Sequence, residues 1–452
     1  MYTILLSGGS GKRLWPLSND LRSKQYIRLI SKEDDETERC SMVQRVWSQL
    51  EKCGLSQNSI ITASTGQVEI IKSQLGDVNI AVEPDRRDTF PAVALSCAYV
   101  KSKLGATDDD FICILPVDPY TESSYFETVK TLEEVLNKTG ADVALMGAVP
   151  SCPSSKYGYI VPSTITDTHI TVESFKEKPT KEQAEELIKQ GAIWNCGVFC
   201  FKIGKVLGYV EKYGVSCDYD EMFANYDKLP KISFDYEVLE KADKLVAVTF
   251  NGYWKDLGTW NSLAEQMSTE TIGNVILHES CKNTHVVNEL NTPIIAMGMK
   301  DVIIAVSFDG IFISDKNKCS FIKECTEMLD VKPMYEERRW GTIKTIDMSE
   351  KNEILTLTRK VLIFKGMSSS YHYHEKRDEV WTVLRGRGEL ILDGVKTEVA
   401  TGCAIRIPSG AKHAIKAIEE IEFMEIHIGK IIGNDDINRI TFDWDKISKN
   451  IF

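Results

Sequence analysis

Apolar and polar positions follow two regimes along this chain. Over roughly the first 260 residues, short apolar runs are separated by longer stretches of helical character. The runs "YTILL" (Tyr2–Leu6), "SIITAS" (Ser59–Ser64), "FICILP" (Phe111–Pro116) and "ADVALMGA" (Ala141–Ala148) have the length of buried strands. "TFPAVALSCAYVKSKL" (Thr89–Leu104) reads as a helix with Pro91 in its first turn. "PTKEQAEELIKQG" (Pro179–Gly191) carries Thr180 and Gln183 in capping-box positions and Gly191 as a stop. Strands alternating with helices predict an α/β domain, a Rossmann-like, mostly parallel sheet wrapped by helices.

From about Gly273 to Cys325 the pattern changes. "NVILHES", "THVVNEL", "TPIIAMG", "DVIIAVS" and "GIFISDK" are short apolar runs with no helix between them. They predict a small β unit, either stacked like a left-handed β-helix or folded as a plain meander. "KECTEMLDVKPMYEERRWGTI" predicts a helical linker with charge on its outer face. Strands and turns from Gly341 to about His427 predict an all-β barrel. "NDDINRITFDWDKISKNIF" predicts a loop and a short helix. The expected domains are 1–265, 266–330 and 331–452.

Composition narrows the function classes. A chain of 452 residues with 43% hydrophobic content has ample material for two or three cores. A net charge of −12 argues against a general nucleic-acid binder. No apolar run approaches the roughly 20 residues that span a bilayer, and Met1 leads into a strand rather than a signal core. The expectation is a cytoplasmic protein with no membrane partner. Its twelve cysteines form no CxxC pair, which fits free, mostly buried thiols. The short-strand unit could support a homodimer, although no residue requires one.

The first strand runs into "ILLSGGSGKRLWPLS" (Ile4–Ser18). A Walker A loop is excluded, because Gly11-Lys12 is followed by Arg13 and the position five before Gly11 is Leu6. The dinucleotide fingerprint fails where Leu14 replaces its third glycine. The underlying physics remains. Gly8, Gly9 and Gly11 allow a tight turn and close approach to a ligand. Exposed amides there, with Lys12 and Arg13, would hold an anion such as a triphosphate. An ordinary strand-to-helix turn has the same glycine content; Arg13, with Lys24 in "LRSKQYIRL", tilts the reading toward phosphate.

Asp118 follows "FICILP", and Asp256 follows "LVAVTF" in "NGYWKDLGTW". Open α/β sheets place ligands at the carboxyl ends of their strands. Two carboxylates delivered there could grip one Mg²⁺ on phosphate oxygens. Singly, each is also a common turn residue or helix cap.

The segments "LSGGSGKRLWPLS", "RSKQYIRL", "EPDRRDTFPAVAL", "LPVD", "YGYIVP", "FKEKP", "WNCGVFCF", "SFDYEVLEK" and "WKDLGTW" occur in the order found in mannose-1-phosphate guanylyltransferases. The chain resembles that family over roughly its whole length, in the long bacterial form with a carboxyl-terminal cupin similar to type II phosphomannose isomerase. The resemblance implies transfer of a nucleotidyl group from GTP to mannose 1-phosphate, giving GDP-mannose and diphosphate. In that reading the Gly8–Arg13 loop wraps the triphosphate. Arg13 and Lys24 neutralise the α-phosphate and the leaving pyrophosphate, and Asp118 and Asp256 hold Mg²⁺. Glu83, Arg87, Asp88 and Thr89 lie near the base and ribose. Gly158, Glu177, Lys178, Asn195 and Gly197 face the sugar phosphate. Three positions depart from the family: Ser23 stands where it usually has Pro, Asp88 where it has Asn, and Pro119 where it has His. The alternatives are another sugar 1-phosphate or base with a non-catalytic cupin, or a non-catalytic sugar-nucleotide sensor.

"GMSSSYHYHEKRDEVWTVLRG" (Gly366–Gly386) fits the first cupin motif, and "GCAIRIPSGAKH" (Gly402–His413) fits the second up to its histidine. Ala417 replaces the terminal Asn. His372 and His374 alternate along one strand and share a face. With Glu379 and His413 they form a three-nitrogen, one-oxygen set suited to Zn²⁺, Fe²⁺, Mn²⁺ or Ni²⁺. Against the isomerase pattern Gln-x-His-x-His-Arg-x-Glu-x-Trp, aligned on Arg377, Glu379 and Trp381, His372 replaces the Gln and Lys376 the second His. Interconversion of mannose 6-phosphate and fructose 6-phosphate is the implied second activity. It also needs a base, which the sequence does not identify.

Overall fold

The computed structural model describes residues 1–9, 12–35, 37–329, 332–432 and 436–449. Gly11 of the glycine loop lies outside the described residues. The chain forms two compact units. The first comprises Met1–Leu14, Ser23–Val68 and Asp77–Thr269; the second comprises Trp15–Arg22, Glu69–Gly76 and the chain from Glu270 onward.

The first unit is built on a nine-stranded sheet. Its spatial order is Asn79–Glu83, Ser59–Ser64, Tyr2–Leu6, Phe111–Pro116, Ile193–Lys202, Val143–Ala148, Leu245–Phe250, Ile170–Lys176 and Tyr159–Ile165. The first four pair in parallel, and Leu245–Phe250 runs parallel to Val143–Ala148. Ile193–Lys202 is antiparallel to both of its central neighbours, so Val143–Ala148 shares the direction of Phe111–Pro116. The carboxyl ends of the strands that lead to Gly8, Glu83, Asp118 and Asp256 therefore lie along one edge.

Burial explains the pattern. Ile112, Cys113, Ile114 and Leu115 are fully buried, as expected for a strand covered on both faces. The Thr89–Leu104 helix packs against this sheet with Phe90, Val93, Ala94, Leu95 and Cys97 all buried. The helix Lys181–Lys189 starts as its sequence predicts, with Thr180 and Gln183 closing a full capping box and Gly191 following at positive φ.

In the second unit the short strands form a parallel coil. Val286 lies beside Thr271 on one side and Ile304 on the other, and Val275 lies beside Ile294, all in parallel register. A meander would pair neighbouring strands antiparallel; only Gly310–Asp315 does so, folding back on Val302–Ser307. Val286, Ala296, Ile304 and Val306 fill the coil's interior.

The linker is only briefly helical, at Ile322–Thr326; Tyr335–Arg338 is instead a strand paired with Gly341–Lys351. An open hairpin partner overrides the helical look of "YEERR". The carboxyl-terminal stretch also differs from expectation. Asn438–Thr441 adds a strand beside Tyr371–Tyr373 before the helix Trp444–Lys449. The barrel consists of a six-stranded and a five-stranded antiparallel sheet, with Val361, Trp381, Phe423, Leu390 and Ile415 between them.

Candidate active site and metal centre

The edge formed by the strand ends opens into a cavity of about 620 Å³. Gly8, Gly9 and Arg13 line it, as do Glu83, Arg87, Asp88 and Thr89. Asp118, Asp256, Gly158, Glu177, Lys178, Asn195 and Gly197 complete the convergence of residues expected from sequence. Lys12 does not line the cavity; it lies in a short 3₁₀ turn, Lys12–Leu14. Lys24, expected at the phosphates, does not line the cavity either; its ammonium lies against Asp118.

Asp118 and Asp256 meet on one ammonium. Lys24 Nζ is 2.5 Å from Asp118 Oδ2 and 3.9 Å from Asp256 Oδ1. A two-stranded ladder sets this geometry, with Asp256 directly opposite Pro119. Pro119, where the family has His, thus occupies a backbone position that brings the second carboxylate to the first. Burial opposes the charge on Asp118, yet Lys24 holds its carboxyl below the ordinary range. Burial raises Asp256, and the charge of Asp118 adds to that rise. Two carboxylates thus converge beside Lys24, with Arg13 acting on both more weakly, and their paired oxygens fit a divalent ion.

At one end of the cavity, Ile193–Lys202 carries a bulge between Asn195 and Val198, where Gly197 adopts φ 70°. The Asn195 side chain accepts from the Gly197 amide at 3.0 Å and its backbone N–H donates to Gly158 O at 2.8 Å. Glu177 and Lys178 form an ion pair at 2.6 Å, and both still face the cavity. A Cβ on Gly158 would come within 2.6 Å of Glu177 Oε2 and of Phe175 Cζ, so glycine gives Glu177 its place. Because the resemblance implies that these residues face the sugar phosphate, Gly158→Ala is expected to raise KM for it about tenfold or more and leave KM for the nucleotide unchanged, as read by initial-rate kinetics.

On the other side, Glu83 ends its strand buried, and Tyr226 donates to Glu83 Oε2 at 3.0 Å. Burial pushes the Glu83 carboxyl up to about 7. Its Oε1 is 3.0 Å from where a Gly8 Cβ would stand, a contact tight enough that Glu83 would have to give way by a few tenths of an ångström. Asp88, at φ 71°, caps the Thr89–Leu104 helix by accepting from the Thr89 amide at 2.8 Å. The family's Asn would cap equally well at such a φ. Arg87 Nε donates to Leu229 O, and Thr89 Oγ1 accepts from the Phe234 amide, so both also brace the wall. Ser23, in place of the family's Pro, donates to Gly9 O at 2.9 Å and accepts from Gln67 at 2.7 Å, which anchors the glycine loop.

Sequence reasoning assigned no role to Arg86, Lys156, Tyr157, Trp254 or Asp235, which also line the cavity. Burial, with Glu177 and Asp88 adding, pushes Asp235 up to about 6. The signal for Asp235 was present in "SFDYEVLEK"; its short helix, Phe234–Glu237, gave no hint of direction.

The barrel brings His372, His374, His413 and Glu379 together. His374 Nε2 is 2.9 Å from Glu379 Oε1, and His413 Nε2 is 3.7 Å from Glu379 Oε2. Each imidazole donates its Nδ1–H to a backbone carbonyl: His372 to Ser370 at 2.8 Å, His374 to Asp436 at 2.9 Å, and His413 to Ala411 at 3.0 Å. That tautomer leaves Nε2 with a lone pair, and His413 Nε2 is buried without a hydrogen-bond partner among the described residues. Burial lowers His372 to about 3, with His413 contributing, and lowers His413 as well. Neutral imidazoles and a carboxylate are the protonation states a metal requires. Arg377 donates to both Glu379 and His374 at 3.2 Å. The donor set fits a divalent transition metal. Sequence reading missed His427 and Glu425, which join Glu379 in a second buried trio.

The family model for nucleotidyl transferases matches residues 2–271. The chain belongs to the nucleotidyl transferase family. A cupin-domain model matches residues 361–427 of the same chain. The chain is 26% identical to mannose-1-phosphate guanylyltransferase of Escherichia coli K12, with 99% of each chain covered. It is 27% identical to the alginate biosynthesis protein AlgA of Pseudomonas aeruginosa, covering 97% of this chain and 96% of that one. A crystal structure from Thermus thermophilus, described as a mannose-1-phosphate geranyltransferase, superposes with a TM-score of 0.59 at 26% identity, covering 72% of this chain and 98% of that one. The nucleotidyl transferase domain and the cupin thus follow one another in the order expected from sequence. Among the described residues, no helix is long and apolar enough to cross a membrane, and all twelve cysteines are free.

Proposed function

We propose that the amino-terminal unit transfers a guanylyl group from GTP to mannose 1-phosphate, releasing diphosphate. The convergence of Asp118 and Asp256 on Lys24 carries this reading. The relatives' names support the choice of sugar. The chemistry of Glu83 supports the choice of base. A carboxylate offers two acceptors, which match the N1–H and N2–H donors of guanine. Adenine and cytosine each present a donor beside an acceptor, and that pair does not match.

The reaction is an in-line displacement. A phosphate oxygen of the sugar 1-phosphate forms a bond to the α-phosphorus, and the bond to the β-phosphate bridging oxygen breaks with its electrons. The nucleophile is already anionic, so no base is needed, and catalysis rests on positioning and charge neutralisation. The Gly8–Gly9 backbone and Arg13 hold the triphosphate. Lys24 keeps Asp118 ionised and in place. Glu177 and Asn195 orient the sugar, and Lys178 meets its phosphate. Asp118 and Asp256 would hold Mg²⁺, which would supply positive charge to offset that of the phosphates. Pyrophosphate release across a panel of nucleoside triphosphates and sugar 1-phosphates tests the assignment. GTP with mannose 1-phosphate is the expected best pair; a preference for CTP or UTP would overturn the base assignment.

For the barrel we propose one divalent transition metal held by His372, His374, His413 and Glu379, serving interconversion of mannose 6-phosphate and fructose 6-phosphate. His374→Ala is expected to remove the metal and the isomerisation while leaving nucleotidyl transfer within about twofold, as read by elemental analysis and the two rate assays. Wild-type protein that binds no metal would sink the ligand assignment.

A further inference from the structure

The barrel's second trio lies beside the four proposed ligands and shares one of them. The strand Ile421–Gly429 runs between Ile354–Ile363 and Arg377–Arg385. In register, His427 stands opposite Glu379, and Glu425 stands opposite Arg359. Alternation puts Glu425 and His427 on one face. His427 is 1% exposed and Glu379 is 1% exposed. His427 Nε2 lies 3.3 Å from Glu379 Oε1 and 3.0 Å from Glu425 Oε2. Arg359 Nη2 lies 3.2 Å from Glu425 Oε2 and 3.0 Å from His427 Nε2.

Two arrangements have such a trio: a second metal ion bridged through Glu379, or an outer layer that holds Glu379 in position for a single ion. Charge decides between them, because contact with a guanidinium does not: Arg377 stands about as close to His374 and Glu379 as Arg359 does to His427 and Glu425. Arg359 is permanently charged and already gives Glu425 its counter-charge at 3.2 Å. Glu379, Glu425 and Asp436 face Arg359 and Arg377, so one divalent ion more than neutralises the group. A second would leave further uncompensated charge in a buried site.

We infer that His427, braced by Glu425 and Arg359, is a positioning residue that orients the Glu379 carboxylate toward one metal ion. This rests on the metal site proposed above. Outer partners of this kind fix the ligand's direction and typically govern metal affinity by 10–100-fold.

The test uses the full chain, stripped by chelation and titrated with Co²⁺, with the visible absorption of the bound ion as readout. Wild type is expected to bind one Co²⁺. His427→Leu is expected to weaken binding by about 10–100-fold and to change the ligand-field spectrum. His427→Gln, whose polar side chain can reach the same carboxylates that His427 Nε2 faces at 3.0 and 3.3 Å, is expected to restore most of the affinity and the spectrum. Circular dichroism and the cooperativity of the barrel's thermal unfolding report that each variant is folded; if His427→Leu does not fold, Glu425→Gln reads the same contact. Unchanged affinity and spectrum in the Leu variant would overturn the inference. So would a second Co²⁺ in wild type that the Leu variant loses. Wild type that binds no Co²⁺ would instead remove the metal site itself, and this inference with it.

Discussion

Asp256→Asn is expected to lower kcat for pyrophosphate release by on the order of 10²–10³-fold while leaving the fold intact. The variant is informative because of the geometry around Lys24. The ammonium keeps Asp118 at 2.5 Å, so losing the partner at 3.9 Å does not strand a buried cation. Asp118→Asn should lower kcat at least as far, and it also removes the main counter-charge of Lys24. The double variant should be little worse than either single one, because groups that hold one ion fail together. Rates measured across a Mg²⁺ titration check this. Activity of Asp256→Asn within threefold of wild type, at unchanged Mg²⁺ dependence, would contradict the paired-aspartate site.

Glu83→Gln is expected to lower kcat/KM for GTP by about 10²-fold or more, because the amide presents a donor where guanine also presents one. Discrimination against other bases should collapse in the same variant. The pH dependence follows from burial. The carboxyl sits at about 7, so it is ionised at pH 8 and mostly protonated at pH 6. Guanine's donors favour the anion, so KM for GTP should rise about tenfold from pH 8 to pH 6. Glu83→Gln should lack that rise. The sign for stability is opposite. A carboxyl raised from its ordinary 4.5 to about 7 is destabilised by ionisation in the folded chain. Its contribution to stability is fully present below about 4.5 and is lost as pH rises through about 7.

Much of this was legible in the sequence where local chemistry and tertiary context agree. The strands Ser59–Ser64 and Phe111–Pro116 and the helix Thr89–Leu104 fall where apolar runs and the proline placed them. The capping box at Thr180 fixed a helix start to the residue. Failures came where pairing with distant chain overrode local character. Tyr335–Arg338 and Asn438–Thr441 are strands because a neighbouring edge accepts them, not because their polar sequences favour it. The same reason hid His427. A histidine in "EIHIG" carries no signal until the register sets it opposite Glu379. Asp118 and Asp256 were readable as residues following strands. Their meeting on Lys24 depended on the small ladder at Pro119, which no periodicity signals.

The most direct test of the central claim is a crystal structure of the protein with GDP-mannose and Mg²⁺. The expected result is one Mg²⁺ ligated by both Asp118 and Asp256 and touching the diphosphate, with the guanine edge on Glu83. A metal held elsewhere, or the two aspartates turned to separate regions with the nucleotide outside the cavity, would contradict it.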